Sequence, residues 1–85
     1  MPKSKNSIKK IAVGKNSYIC GKRLSEVSIR SKYGVSVVAV KRFGDADAEL
    51  TPDGDTVLYE GDTAIIVGEI GMIEDIKRLF TEIKD

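Results

Sequence analysis

The chain has no histidine. That removes the side chain that most often serves as a general base and most often binds transition metals. It has one cysteine, Cys20. A lone thiol closes no intrachain disulfide and holds no zinc without other ligands, so a reducing, cytoplasmic setting is expected. Tryptophan is absent, and Tyr18, Tyr33, Phe43, Tyr59 and Phe80 are scattered rather than striped. No base-stacking platform is present. Net charge is only +1, so no global field favours a polyanion, and nucleic acid is not expected as a partner. No apolar run nears the roughly 20 residues of a membrane helix. The opening Met-Pro-Lys-Ser-Lys-Asn has no apolar signal-peptide core. Gly14, Gly21 and Gly34 are too far apart for a phosphate-cradling loop or a dinucleotide fingerprint.

What is present suits one soluble globular domain. The hydrophobic fraction of 41% and charged fraction of 32% are not those of a disordered chain. A domain of 85 residues buries roughly 60–65% of its unfolded surface and has a modest stability margin. Residues 1–7 are polar and basic and read as a flexible arm, and residues 8–85 read as the folded domain. The spacing predicts a first strand over 8–13, a turn at 14–17, and a short helical turn carrying Leu24 and Val27. A second local segment over 29–33 is stopped by Gly34, the residue type that commonly ends a helix in the left-handed conformation.

The run 35–40 is the strongest strand. Apart from Ser36 both of its faces are apolar, as in a strand covered on both sides. Pro52-Asp53-Gly54-Asp55 marks a turn. Residues 56–59 and 63–67 read as two strands of a hairpin, the second again two-sided. From Met72 onward, Met72, Ile73, Ile76, Leu79, Phe80 and Ile83 form one helical stripe. Glu74 and Arg78 stand at an i,i+4 spacing, and Lys84 suits the helix end. The expected fold class is α+β: a small mixed β-sheet with a short N-terminal helical segment and a C-terminal amphipathic helix.

Two strands with apolar residues on both faces exceed what so small a body covers by itself. The implied remedy is a partner surface, with Val35, Val37, Val38 and Val40 as the dimer contact. Catalytic chemistry is not expected: no nucleophile stands beside a base at a usable spacing. Glu49-x-Thr51-x-Asp53-Gly54 followed by Glu60 overlays a calcium loop, but Pro52 interrupts it and helices do not flank it. It reads as a solvated turn, and no metal site is assigned. Lys41 and Arg42, at the end of the apolar strand, either grip an anionic ligand or close the strand edge. The residues alone leave both open.

The series Gly21-Lys22-x-Leu24, Tyr33-Gly34-Val35-x-Val37-Val38-Ala39-Val40-x-Arg42, Pro52, Val57-Leu58-x-x-Gly61-Asp62 and Ile65-x-Val67-Gly68 resembles the TrkA-C domain. That family is also called the RCK C-terminal domain, for regulator of potassium conductance. The resemblance implies a non-catalytic regulatory module of a potassium uptake or channel system. It would form a homodimer and follow a Rossmann-type nucleotide-binding domain, on the same or a separate chain. It would sit in the cytoplasm, at the inner membrane face, through a transporter or channel partner. No cofactor is required. In several relatives the effector is cyclic di-AMP, held near the end of the central strand and the turn proline. By that likeness Val38, Val40, Arg42 and Pro52 are the ligand-binding positions, for cyclic di-AMP or another nucleotide. No Rossmann fingerprint precedes the domain here, so the chain is expected to be either a fragment or a separate small subunit. The alternative function is a ligand-free assembly domain of another cation transporter or antiporter.

Overall fold

The computed structural model describes residues 6–45 and 49–83. Four strands form one sheet: β1 (Asn6–Ala12), β2 (Ser36–Lys41), β3 (Glu49–Leu50) and β4 (Thr63–Glu69), in the order β1-β4-β2-β3. Between β1 and β2 lie a helix of one turn, α1 (Leu24–Val27), and a π-helical turn, Ile29–Tyr33. The chain ends in the helix α2 (Ile70–Thr81).

The α+β class holds, but the sheet is not mixed: every pair of adjacent strands is antiparallel. β1 and β2 run parallel to each other, but β4 lies between them and pairs with both. The predicted hairpin of 56–59 with 63–67 does not form either, because β4 pairs with β1 and β2. The backbone of 56–58 bonds the opposite loop: Leu24 N–H donates to the Thr56 carbonyl at 3.0 Å, and Gly21 N–H to that of Leu58 at 2.7 Å. Leu58 meanwhile sits fully buried in the core.

Ser28 takes φ 56°, left-handed for a non-glycine residue, a conformation costing about 1–2 kcal/mol. It ends α1, and the following residue, Ile29, enters the core. Gly34, at φ 67°, closes the π turn as its position predicted.

β2 does not alternate simply. Its register with β4 skips Val38, between Val37↔Ile66 and Ala39↔Ile65. This bulge lets Val35 and Val40, of opposite parity, both face inward. Both are fully buried, while Val38 is 45% exposed. The expectation that Val35 and Val40 form a contact surface is therefore corrected: they belong to this chain's own core.

α2 supplies the other half of that core through Ile73, Ile76 and Phe80, packed with Ile11, Ala64 and Ile66. Met72 and Leu79 pack at its margin. Ile83 lies past the helix end and is exposed. Arg78 pairs with Glu82 at 2.9 Å rather than with Glu74. The orphan carbonyls of the helix end accept from the first loop: Gly14 N–H donates to Phe80 O at 2.7 Å and Ile19 N–H to Leu79 O at 3.0 Å. Asn6 and Ser7, expected in the arm, belong to β1. Residues 1–5, 46–48 and 84–85, which include Lys84 and the rest of the arm, lie outside the described residues.

Val35 packs directly on β4 because Gly68 has no side chain: an added Cβ would lie 2.9 Å from Val35 Cγ2. Gly68→Ala is expected to lower stability by about 1–3 kcal/mol through overpacking. With Val35→Ala added, the loss should be smaller than the sum of the two single losses, measured by urea unfolding.

Candidate functional site

Two polar constructions flank the end of the sheet where β2, the 51–62 segment and the helical turns meet. The first is built around Asp62, whose side chain is 5% exposed. Its carboxylate accepts from Phe43 N–H at 3.0 Å, Tyr59 N–H at 2.9 Å and the Arg42 guanidinium at 2.5 Å. Arg42 also donates to the Val57 carbonyl at 2.8 Å. One carboxylate thus ties the end of β2 to the 57–62 turn. Burial alone would raise the Asp62 pKa, but the two amides and the guanidinium outweigh it and hold it below the ordinary carboxylate value.

The second is an open groove of about 650 Å³ beside the first half of β2. β3 pairs only with Val40 and Lys41, so among the described residues no strand covers that edge. The helical turns form one wall with Ser25, Ser28, Arg30 and Ser31; Ser36, Val37 and Val38 form the floor; Pro52, Asp53 and Gly54 close the far side. The far wall is fixed by its own turn: Thr56 N–H donates to Asp53 O at 3.1 Å and Asp55 N–H to Asp53 Oδ1 at 2.9 Å. It is tied to α1 through Ser25 N–H to Gly54 O at 3.0 Å. The Asp53 carboxylate is thereby used as a turn acceptor.

The predicted ligand residues divide. Val38 and Pro52 line the groove together; Val40 and Arg42 do not. Val40 is in the core and Arg42 is committed to Asp62. The strand-edge reading of Arg42, rather than the anion-gripping one, fits its geometry. Of the predicted dimer residues, Val37 and Val38 reach the groove, Val37 half-buried and Val38 exposed, and Val35 contributes only at its buried base.

The sequence reading missed Arg30 and the hydroxyls of Ser25, Ser28, Ser31 and Ser36. A signal was available. Ser25, Ser28 and Ser31 recur every three residues before a helix-ending glycine, which sets them along one side of a helical segment. Among the described residues Arg30 makes no ion pair. The groove therefore combines a cation, several hydroxyls and an apolar floor, which suits a ligand with both anionic and flat apolar parts.

The family model of the TrkA-C domain matches residues 8–81. The chain belongs to the TrkA-C family. Similar curated proteins include the Ktr system potassium uptake protein C of Bacillus subtilis (strain 168), 33% identical over 65% of this chain and 24% of that protein. An uncharacterized transporter of Rhodopirellula baltica is 43% identical over 60% of this chain and 9% of its own length. This TrkA-C domain thus spans a quarter or less of either relative. Among solved structures, the RCK C domain dimer of S. agalactiae BusR in complex with c-di-AMP has a TM-score of 0.74 at 24% identity, over 86% of this chain and 93% of that one. The RCK C domain of the potassium transport protein KtrA, also in complex with c-di-AMP, has a TM-score of 0.72 at 22% identity, over 85% and 80%. The GsuK channel bound to NAD has a TM-score of 0.71 at 24% identity, over 87% and 13%. BusR also matches in a complex with its promoter DNA. These structures share the fold.

Asp62→Asn is expected to cost about 2–4 kcal/mol, since it leaves Arg42 without its counter-charge. The folded pKa of Asp62 lies below its unfolded value, so its contribution is complete above about pH 4 and is lost as pH falls through the lower folded value. Chemical unfolding followed from pH 6 downward should show that loss in the parent protein, and a smaller one in Asp62→Asn.

Proposed function

We propose that this domain is the effector-sensing, dimerising module of a cytoplasmic regulator of potassium uptake or conductance. It works by binding, not catalysis. The observation that carries the reading is the groove: Arg30 and three serines face Ser36, Val37, Val38 and Pro52 across a space of about 650 Å³, the size range of small-ligand sites. Two neighbours of the same fold were solved with cyclic di-AMP, a ligand whose phosphodiesters and purines match that division of chemistry. Arg30 would meet a phosphate, and the apolar floor a base.

An open groove at a free strand edge is half a site. A second copy placed against the Val38 edge would enclose the ligand, so the dimer completes the site. Ligand bound there shifts the dimer only by its differential affinity for alternative arrangements. No helix among the described residues is long and apolar enough to cross a membrane. In this reading the signal reaches the membrane through a Rossmann-type domain and a channel or transporter.

Titration calorimetry with cyclic di-AMP is expected to give heat with the parent protein. Arg30→Ala should weaken it about 10–100-fold, the worth of a charge-assisted hydrogen bond. The parent showing no heat would defeat the effector assignment.

Val38 is exposed at its bulge, so Val38→Asp should leave the fold intact by circular dichroism. In analytical ultracentrifugation it should turn a dimer into a monomer, because it places an unpaired charge in an apolar contact. An unchanged dimer would defeat the assembly assignment.

A further inference from the structure

A second cleft, of about 320 Å³, lies between the first loop, the π turn and α2. Its walls are Tyr18, Tyr33, Asp75, Arg78, Leu79 and Glu82, and it shares no residue with the groove. α2 and its C-cap residue contribute Asp75, Arg78, Leu79 and Glu82, at positions i, i+3, i+4 and i+7, so these stand on one face. Tyr18 is brought against that face by its neighbour, since Ile19 N–H donates to Leu79 O at 3.0 Å. Tyr33 is the last residue of the π turn, which Gly34 ends by donating its N–H to Arg30 O at 2.9 Å. Both rings are thus carried on hydrogen-bonded backbone.

The charges of the cleft decide what it can take. Arg78 is engaged by Glu82: its Nε–H donates to Oε2 at 2.9 Å. That hydrogen bond does most to raise the Arg78 pKa, and the Asp75 charge adds to it. Asp75 itself makes no ion pair among the described residues. Two carboxylates against one guanidinium leave a net charge of −1, with no other charged side chain on the walls. An anion would meet a carboxylate that nothing balances. A bare metal ion lacks ligands, because no group of three or more His, Cys, Asp or Glu among the described residues could hold one. A compact organic cation meets both features at once. Its charge faces Asp75, and its alkyl groups lie against tyrosine rings, whose π faces attract cations. The volume is at the small end of ligand sites.

We infer that the cleft between Tyr18, Tyr33 and α2 is a binding site for a small alkylammonium cation. It is separate from the groove and does not rest on the effector reading.

The test uses the full 85-residue chain, isotope-labelled for amide NMR. It is titrated with choline, with the uncharged isostere of choline that carries a tert-butyl group in place of trimethylammonium, and with potassium chloride at matched ionic strength. Choline should move the signals of Tyr18, Tyr33, Asp75 and Leu79 and saturate. The isostere should bind about fivefold more weakly or worse, the worth of a cation–π contact. Asp75→Asn and Tyr33→Leu should each weaken choline to a similar extent. Arg78→Gln, which frees Glu82, should tighten it, a gain that mere loss of structure would not produce. Asp75 and Arg78 are exposed, so both variants should keep the parent's circular dichroism. No saturable shift, equal binding of the isostere, the same shifts from potassium chloride, or shifts confined to the groove would each overturn the proposal. So would choline affinity unchanged in Asp75→Asn.

Discussion

β4 lies between two strands that run the same way, and its seven residues carry the whole architecture. Its inward side chains, Ala64 and Ile66, meet α2, and its glycine at 68 sets how closely Val35 approaches. Its first residue follows Asp62, so the carboxylate that gathers Arg42, Phe43 and Tyr59 is placed by the same strand. Hydrophobic burial at about 25 cal/mol per Å² is nondirectional. It explains why these elements gather, not why they gather in this order. The order comes from hydrogen bonds: a ladder on each side of β4, and one buried carboxylate at its entrance.

The relation between core and site follows from the bulge at Val38. Without a skipped residue, Val35 and Val40 would point to opposite faces. With it, both ends of the strand anchor in the core while the middle turns outward to the groove. The same strand thus holds the fold at some residues and lines the groove at others. Among the described residues its edge stays open there, because β3 is only two residues long.

Local features were legible in the sequence because their causes are local. Gly34 marked the end of the π turn, and the three- and four-residue spacing of Ile73, Ile76 and Phe80 marked α2. Val38 and Pro52, which line the groove, came from the family resemblance and not from any local pattern. The failures share one cause, which is long-range pairing. Alternation in 35–40 does not reveal a bulge, since the skip is a property of two strands. Thr56 and Leu58 look extended in either arrangement, and only the amides of Leu24 and Gly21 decide where their carbonyls go. Arg42 looked free because its partner lies at Asp62, on a different turn. Arg30 and the serines were overlooked because polar residues on a short helical segment resemble an ordinary wet surface until a groove is seen beside them.

The loop from Gly14 to Ile19 provides the amides that the last turn of α2 lacks, and Ser17 bridges to Ile83 beyond the helix. Segments nearly the whole sequence apart are thereby stitched at one seam. Neither can fray alone, because release of the helix end strips partners from the loop, and the reverse. In amide-exchange terms the two should form a single cooperative unit, opening and closing together.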